Sequence, residues 1–283
     1  MGLPTGGLNA RELPGHRMAA HVPAPGALLR IDRVLANNPG PFTGPGTNTW
    51  VLGDDFGSVT VIDPGPVDTA HARAIMGVVG RRRLESILVT HTHSDHAPMA
   101  NHLASEVGVP AVGYAPGPSF DPDIRLLDGA QFDVGALSLQ VVHTPGHSAD
   151  HLCFRVGDVL FTGDHIIGGS SVMVDDMGPY LDSLRKLQGR GLTALHPGHG
   201  EVTDDPDAVI GWYLAHRLQR HEEIYEAIVS GCATIDEVVE EVYAEVDSAL
   251  YPLAARSVQA HLRLLIEEGR IASDEDVAAS LPS

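Results

Sequence analysis

Short runs of β-branched and aliphatic residues alternate with turn residues over the first 200 positions of the chain. The runs at 48–52 and 59–62 each precede a turn rich in Gly and Asp, which predicts the two strands of a hairpin. The segment 68–83 has helical spacing and leads into a buried strand at 86–90. The same patterns predict strands at 137–142, 151–156, 159–162 and 194–195 and a helix at 180–188. This mixture indicates an α/β fold.

The pattern changes after Asp205-Pro206 to almost continuous helical periodicity. Helices are predicted at 208–229, 235–246 and 257–268, the last of them ending before Gly269. We therefore expect a three-helix unit that is separate from the α/β domain. The chain is divided into an N-terminal extension, an α/β domain and a helical unit, at 1–26, 27–205 and 206–283.

The composition is that of an ordinary globular protein, with 43% hydrophobic and 19% charged residues in 283. No segment is apolar and long enough to span a bilayer, so we expect no membrane role. The N-terminus lacks the basic start and apolar core of a signal peptide. The two cysteines, Cys153 and Cys232, lie far apart in sequence, which argues against a disulfide framework. These features lead us to expect a cytoplasmic protein.

The net charge of −19 at pH 7 bears on the choice of partners. Nucleic-acid binders normally present a basic face to the phosphates, and a strongly acidic protein repels polyanions. From residue 207 onward, 15 acidic residues stand against 5 arginines, which gives this part a net charge of about −10. The charge favours a small-molecule substrate and disfavours nucleic acid without excluding it.

Histidines are abundant, 16 against 18 Lys plus Arg, and their spacing is informative. The run His91-Thr92-His93-Ser94-Asp95-His96 directly follows a predicted strand and holds four potential metal ligands. His147, Asp164 and His199 each follow another predicted strand beside a glycine, which lets a loop approach a metal closely. Imidazole and carboxylate suit zinc. A polar loop with chance histidines is the alternative for the run, but the repeated pattern favours a metal site at one edge of a sheet.

The His-x-His-x-Asp-His run followed by single His, Asp and His residues resembles the signature of the metallo-β-lactamase superfamily, over about residues 27–205. The resemblance implies a four-layer αββα sandwich that binds two metal ions, most simply zinc, with iron or manganese as alternatives. It implies two ligand sets joined by a bridge: His91, His93 and His147 for the first ion, Asp95, His96 and His199 for the second, and Asp164 as the bridge. Ala97-Pro98 departs from the family pattern, in which many relatives have two glycines, but it removes no ligand.

The resemblance also implies catalytic roles. A bridging water would lose a proton near neutral pH, its pKa falling from about 15.7 toward about 7, and would act as the nucleophile. Asp95 and Asp164 are therefore the predicted catalytic residues, with Asp95 moving a proton. Asp63 matches the superfamily's first acidic motif and is predicted to orient a ligand histidine, although an Asp before Pro-Gly also fits a simple turn. His165 and Tyr180 are predicted to line the substrate pocket, with packing as the alternative for Tyr180.

The segment 46–53 and the helical tail resemble the β-lactamase-like protein 2 subgroup, whose members carry a small winged-helix-like domain. Relatives in this subgroup include a single-strand RNA endonuclease and thioesterases. The metal site together with the acidic surface favours hydrolysis of a small ester, thioester or lactone. A metal-dependent phosphodiesterase or single-strand RNA endonuclease is the alternative, and a DNA-binding regulator that uses the tail is a weaker one. The tail is expected to cover the pocket rim or to mediate a homodimer.

Overall fold

The computed structural model of the chain describes residues 11–12, 29–53, 57–168 and 171–272, so the predicted extension 1–26 lies outside the described residues except for one short strand. The strands are β1 (Arg11–Glu12), β2 (Arg30–Leu35), β3 (Asn48–Gly53), β4 (Ser58–Ile62), β5 (Arg83–Leu88), β6 (Ala111–Gly113), β7 (Ile124–Arg125), β8 (Gln131–Val134), β9 (Leu137–His143), β10 (Leu152–Val156), β11 (Val159–Gly163) and β12 (Ala194–Pro197). The helices are α1 (Thr69–Val79), α2 (Pro98–Val107), α3 (Met177–Leu187), α4 (Pro206–Val229), α5 (Ile235–Val242) and α6 (Tyr251–Glu267).

The strands form two sheets, with the orders β1-β7-β6-β5-β4-β3-β2 and β12-β11-β10-β9-β8. In the first sheet β2, β3 and β4 pair antiparallel, whereas β4, β5, β6 and β7 pair parallel. In the second sheet all pairs are antiparallel except β11 with β12. The strands β4, β5, β11 and β12 therefore end near one edge of the two sheets, where the loops that follow them can meet.

Alternation of side chains along the strands builds the layers. Trp50 and Leu52 of β3 point into the core between the sheets, where they share a cluster with Phe154 of β10. The neighbouring Val51 points the other way, into a cluster with α1 and α2. Cys153 likewise points outward from the second sheet, into a cluster with α3, α4 and α6. These four layers confirm the predicted αββα sandwich.

The C-terminal helices are not as separate as the sequence suggested. Ile210 and Leu214, in the first half of α4, belong to the core on the outer face of the second sheet. Ile224, in its second half, packs with α5 and α6 around Val258 and Leu265. Helix α4 thus belongs to two cores, because it is 24 residues long and its apolar positions change partners midway. Among the described residues, no helix is both long and apolar enough to cross a membrane.

Several helix boundaries differ from the sequence prediction. The helix predicted over 68–83 ends at Val79, because Gly80 adopts a positive φ of 63° that stops it. Its start at Thr69 is capped by the Asp68 side chain, which accepts from two backbone N–H groups. Helix α6 begins at Tyr251 instead of 257, with a proline in its first turn, and α5 ends at Val242 instead of 246.

Candidate metal centre

The loops after β5 and β9 bring three histidine rings together. Nε2 of His91 lies 3.0 Å from Nδ1 of His93, and Nε2 of His147 lies 3.3 Å and 3.0 Å from those two atoms. The three nitrogens lie within 4.8 Å of one another. Three imidazole nitrogens that converge on one point form a ligand set that suits a divalent metal ion.

A second group of ligand atoms lies beside the first, made by Asp95, His96, Asp164 and His199. Nε2 of His199 lies 3.1 Å from Oδ2 of Asp95 and 3.3 Å from Oδ2 of Asp164. Nε2 of His96 lies 3.3 Å from Oδ1 of Asp164. The same Asp164 carboxylate reaches within 3.8 Å of Nε2 of His147 in the first group. The seven predicted ligands thus come together in two groups, with Asp164 between them.

Two observations show that this site fits metal ions. Oδ1 of Asp164 is buried and accepts no well-aligned hydrogen bond within the described part of the chain, although Nε2 of His96 lies 3.3 Å away, so a cation would satisfy this carboxylate oxygen. Gly198 leaves the space beside it open: a Cβ there would lie 2.5 Å from Oδ1 of Asp164 and 2.6 Å from Cε1 of His96. The nitrogen and oxygen donors suit zinc, iron or manganese. The residues therefore fit a centre of two divalent ions.

Backbone carbonyls fix the orientation of two ligand rings. Nδ1 of His147 donates to the carbonyl of Met173 at 2.7 Å, and Nδ1 of His199 donates to the carbonyl of Gly46 at 3.2 Å. A hydrogen on Nδ1 leaves the lone pair of Nε2 free for a metal. Both Nε2 atoms are the ones that face the ligand groups.

Asp63 fixes two more ligand rings from behind. Its carboxylate accepts from Nδ1 of His96 at 2.9 Å and from the N–H and hydroxyl of Thr90 at 2.8 Å and 2.7 Å. The Thr90 hydroxyl, which donates to Asp63, accepts from Nδ1 of His91 at 3.0 Å. Asp63 has a φ of 51°. It is the one non-glycine residue with a positive φ among the described residues. These hydrogen bonds hold the strained backbone in place.

His151 positions the backbone of Asp164. The Asp164 N–H donates to Nε2 of His151 at 3.2 Å, and Nδ1 of His151 donates to the Thr144 hydroxyl at 2.9 Å. Burial holds the pKa of His151 well below its ordinary value, so the ring is neutral and its Nε2 can accept. This contact was not predicted, because the position of His151 just before β10 gives no indication of which backbone group its ring would meet.

The interpretation of His165 and Tyr180 as pocket-lining residues is corrected by the structure. Both side chains have no exposed surface, and the Tyr180 hydroxyl donates to the backbone carbonyl of His165 at 2.8 Å. Burial lowers the pKa of His165 to about 3, so it is a neutral core residue. His165 follows Asp164 in a turn in which its N–H donates to the Thr162 carbonyl at 3.0 Å, and its ring packs against the Tyr180 ring.

The segment 172–176 connects the centre to the C-terminal helices. The Met173 carbonyl in this segment accepts from His147, as described above. Two arginines of the C-terminal helices donate to other carbonyls of the segment, Arg217 of α4 to Val172 and Arg263 of α6 to Asp175. The position of a ligand histidine therefore depends on contacts that the C-terminal helices make.

The carboxylates and imidazoles of the second group shift one another's pKa values. Burial raises the pKa of Asp164, but His96 and His199 lower it more, so that it lies well below its ordinary value. Burial lowers the pKa of His199, but hydrogen bonds to Asp164 and Asp95 raise it to about 9. Burial also opposes the protonation of His96, yet Asp164 and Asp63 raise its pKa well above the ordinary value. In metal-free protein at pH 7, both rings therefore carry protons that a metal must displace.

Metal uptake is accordingly expected to release protons. Below the pKa of about 9 for His199, protons leave this group when the metal binds, so metal affinity falls as the pH falls from 9 to 7. Calorimetric titration of metal-free protein in buffers of different ionisation enthalpy measures the number released. His199→Gln should lower that number, whereas His102→Gln, on the exposed face of α2, should not. Affinity that is constant from pH 7 to 9 would contradict this expectation.

The sequence is similar to two known protein families and to several known proteins. The sequence matches the Metallo-beta-lactamase superfamily over residues 42–199 and the Beta-lactamase associated winged helix domain over residues 234–279. A beta-lactamase-like protein 2 homolog of Drosophila melanogaster is 31% identical, across 85% of this chain and 89% of the relative. An atrochrysone carboxyl ACP thioesterase of Aspergillus chevalieri is also 31% identical, across 89% of this chain and 84% of the relative.

Solved structures share the fold. A metallo-beta-lactamase family protein from Thermus thermophilus superposes with a TM-score of 0.71 at 21% identity, covering 84% of this chain and 94% of its own. A beta-lactamase domain protein from Burkholderia ambifaria has a TM-score of 0.70 at 23% identity, covering 90% of each chain. Both matches extend beyond the α/β layers, so they include part of the C-terminal helices.

Proposed function

The chain belongs to the metallo-β-lactamase superfamily of hydrolases, and we propose that it is a dinuclear zinc enzyme that hydrolyses a thioester. The position of Asp164 is the observation that supports a site for two metal ions. Its carboxylate lies 3.3 Å from His199 in one ligand group and 3.8 Å from His147 in the other, as a bridging ligand requires. Zinc is proposed because imidazole and carboxylate donors in such sets suit it.

Two zinc ions, when bound, supply an activated water at neutral pH and polarise the substrate carbonyl. The residues of the chain would hold the two ions, and one of these residues would accept the proton of the water. Burial raises the pKa of Asp95, but the hydrogen bond from His199 lowers it more, so Asp95 is ionised at neutral pH. Its side chain is 24% exposed, on the open side of the site beside the exposed His93. Asp95 is therefore placed to accept the proton that the attacking water loses.

A thioester is the substrate class that the relatives and the charge support best. Several relatives at 29–31% identity carry the name atrochrysone carboxyl ACP thioesterase. A thiolate, from a thiol with an ordinary pKa of about 8.5, is a good leaving group and needs little help from a general acid. The net charge of −19 disfavours a polyanionic RNA substrate, which would need a basic path.

The test compares three substrates on zinc-loaded protein whose metal content has been measured: an acyl thioester of N-acetylcysteamine, the oxygen ester with the same acyl group, and a labelled single-stranded RNA. We expect thiol release that Asp164→Asn abolishes. Asp182→Asn, an exposed aspartate on α3, is the matched control and should retain the activity. RNA cleavage that is lost in Asp164→Asn, without thiol release from either protein, would overturn the thioesterase proposal in favour of a nuclease.

A further inference from the structure

An apolar groove of about 620 Å³ lies between α4 and the loops that follow β11 and β12. We call it the α4 groove and define it by six of its lining residues, Pro45, Ile167, Val202, Val209, Trp212 and Tyr213. Its volume falls within the range of about 300–1,000 Å³ that is typical of small-molecule sites.

One wall of the α4 groove is formed by loops that carry metal ligands. Ile167 follows Asp164 by three residues, and Val202 follows His199 by three residues. Pro45 precedes Gly46, whose carbonyl accepts from Nδ1 of His199. The groove is thus built from the continuation of the same loops that hold the bridging and second-ion ligands.

The groove is preformed on its helical side. The Tyr213 hydroxyl contacts the backbone N–H of Ile167 at 3.3 Å and its carbonyl at 3.2 Å, which ties α4 to the loop after Asp164. The Trp212 ring stacks on His216 with the ring centres 5.0 Å apart. A fixed wall costs little to order when a ligand binds.

Large apolar side chains are exposed in the α4 groove. Trp212 is 51% exposed and Val202 is 42% exposed, so an apolar ligand in the groove would remove apolar surface of both residues from water. Among the residues that line the groove, Glu201 is the single charged one, and it pairs with Arg33 at 3.0 Å. An anionic carrier would find no cationic partner among these lining residues, whereas a hydrocarbon group would bury apolar surface.

We infer that the α4 groove binds the apolar acyl group of the substrate, so that the enzyme prefers thioesters of long acyl chains over acetyl thioesters. This inference rests on the proposed function, because it assigns the acyl half of the thioester to one place. The polar carrier half of the bound thioester then extends into solvent on the open side of the metal centre, where His93 is exposed.

The kinetic test uses N-acetylcysteamine thioesters from acetyl to decanoyl. We expect kcat/KM to rise by about fourfold for each methylene that enters the groove. Val202→Asp places a charge at an exposed position in the groove and should flatten this rise. Val229→Asp, at another exposed valine, which ends α4 and lies outside the groove lining, is the matched control and should keep the rise.

A binding test is independent of turnover. The sequence contains two tryptophans, and Trp50 is buried, so a change in emission on adding 1-decanol reports mainly on Trp212. We expect a saturable change in the wild type and in Val229→Asp, and none in Trp212→Leu. A dimer that forms with rising protein concentration and that Val202→Asp breaks would instead assign the groove to a second copy of the chain and overturn the inference.

The two proposals fail in different ways. Thiol release with no dependence on chain length, together with no response to 1-decanol, would overturn the acyl assignment and leave the thioesterase standing. A saturable 1-decanol response without release of thiol from any thioester would overturn the thioesterase and, with it, the acyl role of the groove.

Discussion

Asp164→Asn is expected to lose at least one of the two metal ions and to lower kcat/KM by on the order of 10³-fold or more. Asparagine keeps the shape of the side chain but removes the negative charge that faces both ligand groups, 3.3 Å from His199 and 3.8 Å from His147. Without that charge, two divalent ions at close range repel each other with less compensation. Elemental analysis of the purified variant gives the metal content, and thiol release gives the rate.

The same variant has a second readout in metal-free protein. Asp164 helps to raise the pKa of His199 to about 9, so its replacement should bring that pKa down toward the ordinary value. Titration of the histidine ring signals by NMR measures the change. A variant that still binds two ions and hydrolyses at the wild-type rate would contradict the bridging role of Asp164.

Gly198→Ala is expected to disable the centre although it changes no ligand. The added Cβ would lie 2.5 Å from Oδ1 of Asp164, 2.6 Å from Cε1 of His96 and 3.1 Å from the backbone carbon of Gly163, so ligand atoms or backbone would have to shift. Overpacking of this kind typically destabilises a protein by about 1–3 kcal/mol. Here we expect the strain to displace the two ligand side chains from their positions. We expect metal affinity to fall on the order of 100-fold, measured by competition with a chromophoric chelator.

Gly77→Ala is the matched control for that substitution. Gly77 lies within α1, is exposed, and would find nothing within 4 Å of an added Cβ. Alanine there should raise the free energy of unfolding by about 0.5–1 kcal/mol and leave metal binding unchanged. Wild-type metal affinity in Gly198→Ala would show that the loop after β12 yields more readily than its contacts indicate.

The sequence was most informative where chemistry and periodicity coincide. The central strands are short, largely apolar runs that are buried on both faces, and the ligand residues follow them beside glycine, so both the layers and the ligand grouping could be anticipated. Short, polar elements could not. The strand β8 has a single fully buried residue, Val134, and α2 begins at Pro98 directly after the ligand run, where the ligand pattern obscured the start of the helix.

Contacts made by backbone atoms also could not be predicted from the sequence. The carbonyls of Met173 and Gly46, which orient His147 and His199, belong to residues whose side chains say nothing about that role. The assignment of His165 to the pocket failed for a related reason. Adjacency to Asp164 along the chain says nothing about direction, and the side chain turns into the core.

The contact of α6 with the segment 172–176 has a thermodynamic consequence. Arg263 and His147 bind carbonyls that are two residues apart in this segment, so the docking of α6 and the placement of a metal ligand share one piece of backbone. Linkage between two such equilibria is reciprocal. An ion that holds His147 in place tightens the attachment of α6 by the same free energy with which attached α6 favours that ion. We therefore expect the C-terminal helices to be attached more tightly in metal-bound protein than in metal-free protein.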